Sequence, residues 1–166
     1  KLQKSKDAFL FCCYAGLRYS DFINLTAANI VELHQETWLI YKSVKTGIDV
    51  RLPLYLLFEG KGLKVLEHYK EDLDGFFKLK DNSNVNKDLN ALAKLAKMDK
   101  RISFHTARHT NATLLIYSGA NITTVQKLLG HKSVKTTQVY ANIMDMTIVH
   151  DLEKAAHSKL ANRQKG

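Results

Sequence analysis

The sequence of 166 residues has one proline and no stretch rich in glycine and serine, so nothing in it marks a linker, and one compact domain is implied. No internal repeat or low-complexity tract interrupts it. Its two cysteines, Cys12 and Cys13, are adjacent. That spacing suits neither a disulfide framework nor the paired cysteines of a zinc site, and it implies two buried thiols. No run approaches the ~20 continuous apolar residues of a membrane span, and the segment from Lys1 to Phe9 lacks the apolar core of a signal peptide. A soluble, cytoplasmic protein is expected. Acidic residues are also scarce relative to basic ones: 16 Asp and Glu stand against 25 Lys and Arg, giving a formal charge of +9 and a pI near 9.5. Such an excess favours a polyanionic partner, whether DNA, RNA or an acidic membrane face.

What is present divides into three zones. Residues Leu2 to Leu17 are helix-forming and apolar around Phe9, Leu10 and Phe11, with Gly16 where a helix would end. Ser20-Asp21 offers an N-cap for a short helix through Leu25, which places Arg18 in a corner between helices. From Asn29 to Leu54 the pattern alternates and predicts strands around 30–33, 37–43 and 48–53. Thr46-Gly47 turns between the last two, leaving Lys45 at the hairpin tip. Helices are expected over 54–69 and 86–97, separated by an acidic, amide-rich loop containing Asp81, Asn82 and Asn84, and again over 104–117, 122–129 and 134–142. A final amphipathic segment would carry Ile148, Leu152, Ala155 and Leu160 on one face. The fold class is α+β, mostly helical, with a small three-stranded antiparallel sheet.

In Phe104-His105-Thr106-Ala107-Arg108, helical spacing aims His105 and Arg108 the same way at the head of a stripe continued by Ala112 and Leu115. An anion held by guanidinium and imidazole would satisfy both, and so would a structural salt bridge. His105 and His109, one turn apart, raise the question of zinc. The metalloprotease pattern needs glutamate beside the first histidine, and Thr106 stands there, so metal binding is not expected. In Leu128-Leu129-Gly130-His131-Lys132-Ser133, Gly130 ends one helix and Ser133 caps the next, leaving His131 on the turn. Tyr140 follows. Taken singly, a turn histidine, a corner arginine, a turn lysine and one tyrosine among seven are ordinary.

Together they are not. The segments AGLRYSDF, VKTG, HTARHT and LLGHKSVKTTQVYA resemble, in that order and at suitable separations, the signature of the tyrosine recombinases, also called phage integrases. The resemblance runs from about Asp7 to Asn142 and is loosest over 55–100. On it, Arg18 matches the first catalytic arginine and Lys45 the hairpin lysine. His105 and Arg108 match the ends of the His-x-x-Arg motif, His131 the following histidine, and Tyr140 the nucleophile.

That resemblance implies a catalytic domain over residues 1–166, without the N-terminal DNA-clamping domain of family members, that cleaves and rejoins double-stranded DNA through a 3′-phosphotyrosine. Two guanidiniums suit the charge that grows on the phosphate oxygens. A phenol of ordinary pKa near 10 needs a base or a field of cations, and His105 is the candidate acceptor. The resemblance makes Lys45 the general acid, and His131 a donor to a non-bridging oxygen. No metal or other cofactor is required. Lys42, Lys132 and Lys135 beside these segments are plausible phosphate contacts, or simply a solvated face. The expected partners are duplex DNA and further copies, a monomer alone and a synaptic tetramer on DNA, with association with the nucleoid. The C-terminal segment packs on its own subunit or on a neighbour. Rival readings are a type IB topoisomerase and a DNA-binding accessory protein without catalysis.

Overall fold

A computed structural model of the protein describes residues 2–142, 148–149 and 151–153. Helix α1 (Leu2–Ala15) buries Ala8, Phe11, Cys12 and Ala15, the spacing of one helical face, and packs against four later helices. Both cysteine thiols are buried, as expected. The helix ends at Gly16, which adopts φ +72° and whose N–H donates to Cys12 O. A Cβ there would lie 2.6 Å from Asn111 Oδ1, so backbone angle and space both call for glycine. The chain then runs extended through Arg18 into α2 (Tyr19–Phe22). Ser20 and Asp21 are therefore inside the helix and not at its cap. Asp21 is turned away from the helix end because its carboxylate accepts a hydrogen bond from the Val44 N–H, 2.8 Å across the structure.

Strands β1 (Ile30–Leu33), β2 (Glu36–Lys42) and β3 (Asp49–Pro53) form the antiparallel sheet in the order β1-β2-β3. Its register pairs Leu39 with Leu52 and Tyr41 with Val50, and these four side chains point into the core. The β2–β3 tip closes through Ser43 N to Ile48 O and Gly47 N to Ser43 O, with Gly47 at positive φ, as the Thr46-Gly47 pair predicted.

Between residues 54 and 103 the structure departs from expectation. The helix expected over 54–69 is confined to α3 (Lys61–Glu67), because Phe58 and Glu59 take left-handed angles and Phe58 packs its ring on Tyr14. A short helix, α4 (Leu73–Phe77), follows, capped by Asp72. Helix α5 (Asn82–Leu95) begins earlier than expected: the acidic, amide-rich segment is its own start, with the Asp81 carboxylate accepting from Asn84 N. Then come α6 (Phe104–Tyr117), α7 (Ile122–Leu129) and α8 (Val134–Asn142), matching the three expected helices. Of the amphipathic C-terminal segment, Ile148 and Leu152 are described and exposed, while Ala155 and Leu160 lie outside the described residues.

Phe22 sits at the centre of the core, edge-to-face with Phe11, Phe76, Phe77 and Phe104. It thereby joins α2 to three other helices, α1, α4 and α6, one turn from Arg18. Truncation to alanine leaves a cavity among groups already held in place. Phe22→Ala is expected to lower unfolding free energy by about 3–5 kcal/mol, read from urea denaturation; a loss below ~1 kcal/mol would show that this cluster is not the organising core.

Candidate active site

The start of α6 is fixed from two sides. Ser103 and Thr106 form a reciprocal capping box, and the Asn86 side-chain oxygen accepts a hydrogen bond from Phe104 N at 2.7 Å. With that end held, His105, Arg108 and His109 project from one face. Arg108 is 1% exposed, and its two terminal nitrogens donate to Gly16 O and Leu129 O, each at 2.7 Å. One turn on, Asn111 donates to Cys13 O and Tyr14 O. Helix α6 thus holds the last carbonyls of α1, the Gly16 corner and the end of α7 through two side chains. Burial, and then the nearby Arg18 cation, bring the Arg108 pKa down to about 10, which still leaves it charged at neutral pH.

Arg18 comes to the same place from the corner. Its guanidinium lies 3.6 Å from Asp21 and 3.3 Å from Ser43 Oγ, and Asp21 also anchors the Val44 N–H. At the hairpin's other shoulder, Thr46 Oγ1 donates to Gly130 O. Lys45, between these two tethers, is exposed, and its charge reaches His105. Asp21 was read from sequence only as a helix cap and Thr46 only as part of the turn, and Ser43 was not singled out. The Arg-x-x-Asp spacing was the one available signal, since it puts acid and base on one helical face.

Gly130 ends α7 at φ +63°, where a Cβ would meet Val50 at 2.8 Å. Ser133 Oγ accepts from Lys135 N, the cap that was expected. His131 is buried on this turn, with Nδ1 2.9 Å from Thr137 Oγ1. Burial, followed by the fields of Arg108 and Arg18, lowers its pKa to about 4, so it is neutral at pH 7. A neutral His131 donates from Nε2 only if Nδ1 accepts, and the Thr137 hydroxyl is placed to donate there. Thr137 is a further residue the sequence did not reveal.

Tyr140 is 9% exposed and belongs to a small cluster with Ala112, Ile116, Val125 and Leu129. Burial raises its pKa, while Arg108 and Arg18 pull the other way without prevailing. His105 is shifted down by burial first and then by His109, Arg108, Arg18 and Lys45. Arg108 and Arg18 thus act on His105, His131 and Tyr140 alike, and Lys45 acts on His105, which links the six residues expected from sequence. The formal charge of the site is three cations, Arg18, Lys45 and Arg108, against the single carboxylate of Asp21, an imbalance suited to an anion with two or more charged oxygens. Among the described residues, no group of three or more His, Cys, Asp or Glu side chains could hold a metal ion.

The depressed His131 pKa has a consequence for stability. Its folded value, about 4, lies below the ~6.5 of an unfolded chain, so between the two the unfolded state binds the extra proton. The stabilisation is complete above pH 6.5 and declines as pH falls toward 4. The melting temperature of the DNA-free protein should therefore drop between pH 6.5 and 5, with a shallower slope in His131→Asn; equal slopes would contradict the buried, neutral imidazole.

The model of the phage integrase family matches residues 3–146. A tyrosine recombinase of Thermosipho africanus is 32% identical over 152 residues, covering 86% of this chain and 50% of the relative. The chain spans about half the length of the curated relatives it matches. Among solved structures, the XerA recombinase superposes with a TM-score of 0.69 at 23% identity, covering 92% of this chain and 63% of the other. A lambda integrase tetramer bound to a Holliday junction gives 0.68 at 20%, covering 82% and 41%. With the family model extending over most of the sequence, the chain belongs to the phage integrase family, the tyrosine recombinases.

Proposed function

We propose that this chain is the catalytic domain of a site-specific DNA recombinase that breaks and rejoins strands through a covalent 3′-phosphotyrosine at Tyr140. The observation that carries the reading is Arg108: a fully buried guanidinium, satisfied by two neutral carbonyls, beside a second guanidinium and within the field of a phenol. Burying such a charge is costly, and a polyanionic transition state is what it would offset.

The roles follow from position. Arg18 and Arg108 hold the non-bridging oxygens of the scissile phosphate, and His131 donates a further hydrogen bond from Nε2. Tyr140 Oη attacks phosphorus as its proton passes to an imidazole, and Lys45 at the hairpin tip protonates the departing 5′-oxygen. The phosphotyrosine conserves the energy of the broken ester, so a 5′-hydroxyl from another strand reverses the step. Phosphate charge is met by guanidiniums throughout, and the reaction so described calls on no metal or nucleotide. Exposed Lys42, Lys132 and Lys135 flank the site and suit phosphate contacts along a duplex. Exchange between two duplexes requires several copies, and the tetrameric lambda integrase supports assembly of this chain into a tetramer on DNA.

A duplex with a nick near the cleavage point traps the adduct because the short 5′ fragment leaves. Covalent protein–DNA complex is expected from the wild type and none from Tyr140→Phe. Arg18→Ala should slow adduct formation by ~10²-fold or more while retaining DNA binding. Persistence of adduct in Tyr140→Phe would overturn the assignment. Relaxation of supercoiled DNA without exchange between two sites would favour a topoisomerase instead.

A further inference from the structure

Resting on the reading of Tyr140 as nucleophile, we propose that His109, a residue outside the six matched by resemblance, is the imidazole that takes the proton from Tyr140 during attack. The ring of His109 packs against that of Tyr140, with centroids 5.4 Å apart at 56°. On its other side the same ring meets His105 edge-on, at 4.3 Å and 86°. His105 and His109 are one turn apart on α6, and Tyr140 comes from α8, which packs on that helix. The imidazole in ring contact with the nucleophile is thus the second of the pair, and His105 stands behind it.

Other groups suit the task less well. His131 has Nδ1 engaged with Thr137, and its pKa near 4 makes it a poor acceptor. His105 is exposed like His109, but partial desolvation, His109 itself and the cations Arg108, Arg18 and Lys45 lower its pKa. The two guanidiniums do not ionise Tyr140 unaided, since burial outweighs their field. His109 is exposed, so a proton it receives has a direct route to water.

The step balances. The Oη–H bond breaks and its proton moves to a ring nitrogen of His109, while Oη bonds to phosphorus and the bond from phosphorus to O5′ breaks. Lys45 supplies a proton to O5′, and His109 returns its own to water or to His105. One proton is lost and one gained, and no further reactant enters.

The test compares His109→Ala and His109→Phe with the wild type on the nicked duplex, and on the same duplex carrying sulfur at the 5′-bridging position. Sulfur leaves as a thiolate without needing a proton, so it bypasses the acid but not the base. Both variants are expected to form adduct ~10-fold or more slowly on either duplex, with DNA affinity and melting temperature unchanged, whereas Lys45→Ala should recover on the sulfur substrate. Wild-type rates in His109→Phe would show that only the ring contact matters, and would overturn the proposal. Recovery of both variants on the sulfur substrate would place His109 at the leaving group, with the same effect. A wild-type adduct lost in Tyr140→Phe but normal in both His109 variants would refute this inference alone; adduct surviving in Tyr140→Phe would refute the reading beneath it.

Discussion

The guanidinium of Arg108 ties together three parts of the chain that lie far apart in sequence. Through Gly16 O it holds the corner from which Arg18 emerges, and through Leu129 O the helix end from which His131 emerges. It does so from a helix whose start is itself fixed by Ser103, Thr106 and Asn86. Asn111 repeats the connection one turn later on the last carbonyls of α1. The geometry of the site therefore depends on a charged side chain serving as a structural strut. Lysine, a point charge on a flexible stem, would not satisfy two carbonyls held at fixed positions.

The same arrangement sets the electrostatics. Because its partners are uncharged, Arg108 keeps a positive field that reaches His131, Tyr140 and His105. Asp21 moderates Arg18 and at the same time fastens the hairpin that carries Lys45. A phosphate entering here would meet donors already oriented, with little reorganisation left to perform. It would also relieve the repulsion between the Arg18 and Arg108 guanidiniums.

Much of this was legible in the sequence where local rules govern. Gly16 and Gly130 end their helices at positive φ, Thr46-Gly47 turns the hairpin, and the His105 to Arg108 spacing puts both on one face. The six candidate residues do converge. What could not be read are contacts between distant segments. Asp21 looked like a cap because Asp commonly is one, yet its carboxylate serves a strand end on another element. Asn111 drew no reading from sequence, because its carbonyl partners lie on α1, nearly a hundred residues earlier. The stretch from 54 to 69 failed for a different reason: left-handed angles at Phe58 and Glu59, residues that do not announce a turn, are imposed by packing on Tyr14.

The central claim is that Arg18 and Arg108 act by neutralising charge on the phosphate oxygens. It is tested most directly by Arg18→Ala on a duplex whose scissile phosphate is replaced by an uncharged methylphosphonate. On the natural diester the variant lacks half of the guanidinium pair; on the methylphosphonate one oxygen charge has been removed with it. The account predicts that the rate defect relative to wild type shrinks by ~10-fold or more on the neutral substrate. An equal defect on both substrates would mean that Arg18 positions the DNA and does not offset its charge.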